Sequence, residues 1–427
     1  MAARTSLLMI AAFITGLAAI VLLERWEPSR PVAAFAPAPA PDIPAARPRP
    51  LTEREQRWAR IAWRYFERNV RADTGLADSV DQYPAATLWD TGSYLMALIA
   101  AERLGLIPVA DFDSRVTRAL DSLSKLPLYD GEAPNKSYNT VTLAMVDYDN
   151  QPSARGIGWS AIDVGRFLVP CNILAWRYPR HTSAVRAVLS RWNWQRLVRD
   201  GVLYGAALQN GKTVYLQEGR LGYEEYGAKP FALAGLDVRE AQRVDDFLRF
   251  VDVDGVQVAT DRRPEEYGAH NYVASEPYIL DGLEFGFDRS SREFAWRVAR
   301  AQEARFRKTG VLTAVSEDHL DTAPYFVYNT VFTNGRVWNT VTPDGVDARE
   351  FKTLSTKAAI GWHALYATPY TQQLVDRVEQ LFDADKGWYS GVYEATGKPN
   401  TAITANTNAI VLESLCYTQA GQLLKSY

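Results

Sequence analysis

From residue 51 onward, apolar residues return every three or four positions, the spacing of helices that bury one face. The first run, 52–71, sets Trp58, Ile61, Ala62, Tyr65 and Phe66 on one stripe. A second, 88–104, is closed by Gly105 and Pro108, residue types that end helices. The pattern predicts further helices over 112–126, 160–178, 182–192, 223–234, 238–250, 276–285, 291–308, 355–366, 369–382 and 406–417. No strands alternate with them, so the expected fold is all-α: helical hairpins closed into an (α/α)6 toroid. Two segments read instead as β-hairpins leaving one face of that toroid, 202–216 around Asn210-Gly211 and 251–260 around Asp254-Gly255. A faint internal echo, RADTGLADSV and DADKGWYSGV, each ahead of an apolar helix, fits a repeated hairpin architecture.

The start of the chain breaks the pattern. Residues 6–23 form an uncharged apolar run between Arg4 and Glu24-Arg25, close to the length that spans a bilayer. A signal peptide is the competing reading. The small residues that could form a cleavage site lie well past the charged pair, which favours an uncleaved anchor over residues 1–26. With flanking charges nearly balanced, the expected arrangement is a cytoplasmic N-terminus and a periplasmic body held at the inner membrane. Residues 27–50 then turn to Pro, Ala and Arg, a composition that favours an extended spacer. No later linker appears, so 51–427 is read as one domain.

Composition narrows the chemistry. A net charge of −3 offers no basic stripe for nucleic acid. The two cysteines, Cys171 and Cys416, sit in apolar helical patterns and form neither a disulfide framework nor a metal site. Four histidines without helical pair spacing do not suggest zinc, and no glycine-rich phosphate loop follows a strand, so no cofactor is expected. The acidic DYDN run, residues 147–150, could present oxygens to calcium but lacks the twelve-residue loop with its glycine and terminal Glu.

The loops ahead of the helices carry the candidate chemistry. In residues 156–178, GIGWSAIDVGRFLVPCNILAWRY, Ser160 is placed to cap a helix and Asp163 falls in its first turn, with Arg166 on the same face. TLWDTGSY brings Trp89 and Asp90 to another helix start, and EGRLGYEEYGAKP brings Glu218, Tyr223 and Glu225 to a third. SEDHLDTAPYFVYNTVFTNG, VWNTVTPDG with Trp338, and GWYSGVYEATGKPN with Trp388 and Tyr393 continue the mixture. Carboxyl groups beside flat rings suit glycosidic chemistry: one acid protonates the leaving oxygen, a second activates water or attacks, and rings hold the sugar. Trp89, Trp159, Trp338 and Trp388 are candidate sugar platforms, each of which could equally fill the core.

Ser160-Ala-Ile-Asp163 resembles the Ser-x-x-Asp element of glucoamylase-like bacterial β-glucanases, and Tyr223-Glu-Glu225-Tyr226 resembles their Tyr-Asn-Glu-Tyr element, with Glu224 in place of Asn. Those enzymes are (α/α)6 toroids, and the resemblance implies Glu225 as catalytic acid with Asp163 across the cleft. Asp90 stands in reserve. Residues 51–417, with YNTVTLAMVDYDN, GIGWSAIDVGR and TANTNAIVLESL, resemble uncharacterised envelope proteins associated with exopolysaccharide genes. Together these imply a membrane-tethered glycoside hydrolase or transglycosylase on a β-glucan-like chain. The alternatives are a non-catalytic glycan-binding or scaffold subunit of exopolysaccharide machinery, and a polysaccharide lyase. An excess of acids over bases in these elements argues against the lyase.

Overall fold

The helices divide into two kinds by where their buried residues fall. In the computed structural model, which describes residues 42–263 and 271–425, α1 (Glu53–Asn69), α3 (Val109–Lys125), α5 (Thr182–Leu189), α8 (Arg289–Thr309) and α10 (Pro369–Val378) bury one stripe each. By contrast α2 (Leu88–Arg103), α4 (Ala161–Arg177), α6 (Tyr223–Leu233), α7 (Glu276–Leu280, continued by a π-turn over Asp281–Phe285), α9 (Thr356–Tyr366) and α11 (Ala405–Ala420) are buried nearly all round. A helix buried on every side has neighbours on every side. The second group closes on itself in the order α2, α4, α6, α7, α9, α11 and back to α2, and the first packs outside it. The predicted toroid is therefore present, and among the described residues every sheet is a small antiparallel one.

Local signals account for the boundaries. Thr52 and Glu55 form a capping box at α1, and Arg49 forks onto Glu55 at 2.7 and 2.8 Å. Both predicted hairpins form, Val202–Gln209 with Lys212–Gln217 and Leu248–Val253 with Val256–Asp261. Asn210-Gly211 and Asp254-Gly255 take the positive φ angles that two-residue hairpin turns need. The helix expected over 238–250 is not there. Residues 238–247 run in turns, and Leu248 onward pairs as a strand whose register is set by the Asp254-Gly255 turn. That hairpin packs on α8 in the stretch of chain where an outer helix was expected.

Two further expectations are corrected or lie outside view. Residues 42–50, assigned to the spacer by composition, belong to the folded unit that begins at Asp42. Ala46 donates to the Leu365 carbonyl and Arg49 to that of Thr418, so this strap satisfies free carbonyls at the C-terminal ends of α9 and α11. The proposed anchor over 6–23 falls outside the described residues. Among the described residues, no helix is long and apolar enough to cross a membrane.

The inner ring is drawn tight by glycine and by one ion cluster. A Cβ on Gly165 would meet the Gly227 backbone at 2.5 Å, so α4 and α6 touch there main chain to main chain. On the ring axis, the fully buried Arg166 reaches Glu284 of the π-turn, Glu413 of α11 (2.6 Å) and the Tyr226 hydroxyl of α6 (3.2 Å). Ser93 of α2 lies 3.4 Å away. Burial raises the Glu284 carboxyl well above the ordinary carboxylate range despite Arg166, and the neighbouring Glu413 adds to the effect. Two buried carboxyl groups therefore share one guanidinium at the axis.

Replacing Arg166 by Met is expected to cost about 3–5 kcal/mol in urea unfolding, because it strands a buried carboxylate. Glu284→Gln should cost clearly less, because burial already disfavours the charge of that carboxyl and the amide keeps an acceptor for Arg166. Equal losses for the two would contradict this.

Candidate functional site

The first turns of the inner helices meet at one end of the ring, and strands lead into several of them. Strand Ala85–Thr87 enters α2, Gly158–Trp159 enters α4, Thr353–Ser355 enters α9 and Pro399–Ile403 enters α11. Glu276, first residue of α7, gathers three of the other starts. It accepts from the Trp89 indole (2.8 Å) and the Asn406 amide (2.8 Å), and pairs with the Lys357 ammonium. Lys357 is a cation in the first turn of a helix, where the dipole disfavours it. Burial also opposes its charge, yet Glu276, Asp318 and Glu317 outweigh both and raise its pKa.

Strand Glu317–His319 supplies two more acids. Glu317 accepts from the Tyr223 hydroxyl at 2.6 Å and the Ser316 hydroxyl at 3.0 Å. Burial, then Glu276, pushes its carboxyl up to about 7, against the pull of Lys357 and Tyr223. Asp318 is pushed up to about 7 by burial while accepting from Thr353 and Ser355, each at 3.0 Å. Burial and Lys357 press His319 down to about 4, so it is neutral at physiological pH.

Across the mouth, Asp163 sits in the first turn of α4, capped by Ser160. The helix dipole favours its ionised form. Burial wins nonetheless, followed by the nearby Glu218, and the carboxyl rises to about 7. Glu218 is fixed by the same helix end: its Oε2 accepts from the Ala161 N–H (2.6 Å) and the Ile162 N–H (3.1 Å). Asp90 accepts from Ser79 (2.6 Å) and Thr87 (2.8 Å), so it is a tied capping group inside the same mouth. Tyr328 stands between the two sides, its phenol raised first by burial and also by Glu317 and Asp163. Its ring stacks on Tyr272 at 3.8 Å with Arg220 over the outer face. Tyr148 is 64% exposed, yet burial of its hydroxyl raises the phenol, with Asp163 and Glu218 adding to the effect. Its ring thus lies open while its tip reaches in.

The candidate residues fall in different parts of the fold. Asp163, Asp90, Glu218, Trp89 and Tyr223 converge on the mouth. Glu225 does not join them. Its neighbours are Glu224 and Arg263, its Oε2 accepts from the Gly222 N–H at 2.5 Å, and its carboxyl, pushed up to about 8 by burial and then Glu224, lines a separate side cavity. Consecutive helical residues point 100° apart, so Tyr226 on the axis and Tyr223 at the mouth leave Glu225 facing outward. Arg166 is the buried axial ion described above, three residues further along α4 than Asp163. Trp159 and Trp388 are fully buried: the first donates to the Tyr204 carbonyl and packs against Tyr129 and Tyr215, the second donates to the Trp58 carbonyl. Trp338 donates to Asp254 under Arg305, tying its loop to a hairpin. Tyr393 donates to Asp321 at 2.5 Å. The two fully buried tryptophans offer no free face in the mouth.

Sequence reading missed Glu276, Glu317, Asp318, Lys357 and Tyr328. The SEDH and PYFVYN segments had been noted for composition, but their acids lie on a strand and not in a helix first turn. Lys357, a cation at a helix start in an apolar stretch, was a usable signal that acids must surround it. Among the described residues, no group of His, Cys, Asp and Glu is arranged to hold a metal ion.

A family model described as "Protein of unknown function (DUF3131)" matches residues 57–421. The chain belongs to the DUF3131 family. No curated protein sequence matches it. Solved structures share the fold at low identity. A glucoamylase-like protein of Bacteroides caccae aligns at TM-score 0.62 and 13% identity, covering 87% of this DUF3131 chain and 94% of its own. An endo-β-1,2-glucanase of Chitinophaga pinensis, solved with sophorotriose and glucose, aligns at TM-score 0.60 and 11% identity, over 87% and 94%. An endo-β-1,2-glucanase of Talaromyces funiculosus, solved with β-1,2-glucan, aligns at TM-score 0.57 and 11% identity, over 87% and 84%. The distant similarity to glucoamylase-like glucanases thus holds at the level of fold.

The carboxyl of Asp163 carries a pH signature. Its pKa is about 7 in the folded state against an ordinary 3.8. Its share of stability is therefore whole below the unfolded value and is lost as pH rises through 7. Asp163→Asn is expected to melt above the parent protein at pH 8, with the gain shrinking towards pH 4. A pH-independent difference between the two melting curves would contradict the assignment.

Proposed function

We propose that this protein is a glycoside hydrolase that cleaves a β-glucan-like polysaccharide at the mouth of the inner ring. The observation that carries the reading is the pair of carboxyl groups, Asp163 and Glu317, both held near 7 and both bearing on Tyr328. Acid–base catalysis at neutral pH needs groups tuned to that range. Their surroundings divide the work. Glu317 accepts two hydroxyl hydrogen bonds and lies within the field of Lys357, which favours its ionised form. It is the base, taking a proton from the water that attacks the anomeric carbon. Asp163, with Glu218 beside it opposing ionisation, is the acid that protonates the leaving glycosidic oxygen. The Tyr148 and Tyr328 rings and Trp89 are the sugar contacts, and Arg220 supports the Tyr272–Tyr328 stack. The solved glucanases of the same fold, with their β-1,2-linked ligands, suggest β-1,2-glucan as the first substrate to try.

We also propose that residues 6–23 anchor the body outside the inner membrane, beside exopolysaccharide machinery. Retention in the membrane fraction through a carbonate wash is the expected result, and a mature N-terminus beyond Val32 the contrary one.

Incubation with β-1,2-glucan and other β-glucans should release new reducing ends, with a bell-shaped pH profile centred near neutrality. Asp163→Asn and Glu317→Gln should each lower turnover by about 10²–10⁴, the range of general acid–base catalysis. Glu225→Gln should fall by less than tenfold. Tight glucan binding without cleavage would favour the scaffold reading, and a large loss in Glu225→Gln alone would return the acid to that residue.

A further inference from the structure

A cavity of about 240 Å³ opens between α6, α7 and the start of α8, apart from the mouth. At roughly 30 Å³ per water it is far larger than one or two bridging waters require. Two buried polar atoms in its wall have no hydrogen-bond partner: Glu225 Oε1 and the Tyr278 hydroxyl. Their residues are only 9% and 2% exposed. Unpartnered buried polar atoms are costly, and two of them on residues that line one cavity mark a place for a ligand that would satisfy both.

The charges say what kind of ligand. Three carboxyl groups, Glu225, Asp281 and Asp288, line the cavity against the single ammonium of Lys229. Lys229 is already shared between Asp281 at 2.5 Å and Asp288 at 2.7 Å. Behind the wall, Arg263 is engaged by Asp261 and by Glu224 (2.6 Å), so it is not free to neutralise Glu225. A neutral hydroxyl brings one donor to this wall. An ammonium group brings three, and a positive charge where acids are in excess. Phe294 and Val244 offer an apolar face for the carbon skeleton.

We propose that this cavity binds a small primary ammonium compound, its nitrogen seated between Glu225 Oε1 and the Tyr278 hydroxyl. Glu225 gives up its proton as the cation enters, so the incoming charge replaces the proton and one proton leaves to solvent. Burial, with Glu224 adjacent, keeps that carboxyl protonated to about pH 8 in the empty site, and this makes binding stronger at alkaline pH. Among the groups facing it, Lys229 opposes the ligand, while Asp281 and Asp288 support it. The site does not depend on the proposed hydrolase activity.

Calorimetric titration of the protein with ethanolamine, and with ethylene glycol as a neutral control of the same size, tests this. Ethanolamine is expected to bind at one site per chain, more tightly at pH 8.5 than at pH 6.5, with proton release detectable as a dependence of the heat on buffer. Ethylene glycol should give no saturable heat. Glu225→Gln and Tyr278→Phe should each weaken ethanolamine at least tenfold, while Asp163→Asn, which alters the mouth, leaves it unchanged. Should Glu225→Gln fail to melt cooperatively, Tyr278→Phe, which deletes only an unbonded hydroxyl, carries the comparison. Equal binding of the two probes, no saturable binding of either, or ethanolamine binding abolished by Asp163→Asn but kept in Glu225→Gln would overturn the proposal.

Discussion

Arg166 and the groups it holds set the geometry on which the rest of this toroid depends. One guanidinium, with no exposed atom, contacts side chains from α4's neighbours on both sides and from across the ring. An apolar axis would tolerate small rotations of each helix, because dispersion contacts have no direction. A guanidinium fork does not, since its hydrogen bonds lose strength quickly off-angle. The cluster thereby fixes the rotation of α4, α6, α11 and the π-turn, and so fixes which first-turn residues look into the mouth. Tyr226 pointing inward to Arg166 is the reason Glu225, one residue earlier, points out.

The mouth itself is a contest between two fields. Helix N-termini draw negative charge, and six of them converge here. Burial acts the other way, and for Asp163, Glu317 and Asp318 it is the first cause of a raised pKa. Lys357 keeps the imbalance from growing, at the expense of placing a cation against a helix dipole. The result is a set of carboxyl groups raised to about 7, well above what an isolated helix start gives its Asp.

What the sequence made readable follows from this physics. Helical periodicity survives in any context, so eleven of the expected helices and both hairpins are found among the described residues, with the expected cap at Ser160. Asp163 was legible because Ser160 marks the helix start, which puts the acid in its first turn, and because the Ser-x-x-Asp element resembles that of the glucanases. Glu317 and Lys357 were not, because their significance arises only when strands and helices distant in sequence meet. Glu225 was misplaced for a different reason: its motif was right about the helix but carried no information on its rotation. The tryptophans misled because ring exposure is a tertiary property. Trp159 and Trp388 read the same as Trp89 in one dimension, and only Trp89 reaches the mouth. The absent helix over 238–250 shows a strong two-residue turn overriding a weak apolar stripe.

The packed axis also decides how a polymer can meet this protein. Arg166, Glu284, Glu413 and Tyr226 fill the ring below the mouth, and the strap of residues 42–50 is bonded across carbonyls at its far end. Nothing can be threaded through such a ring. A long chain that came to the acids, as the proposed function requires, would have to drape over the rim and withdraw by the side it entered, so each encounter would be a visit and not a passage.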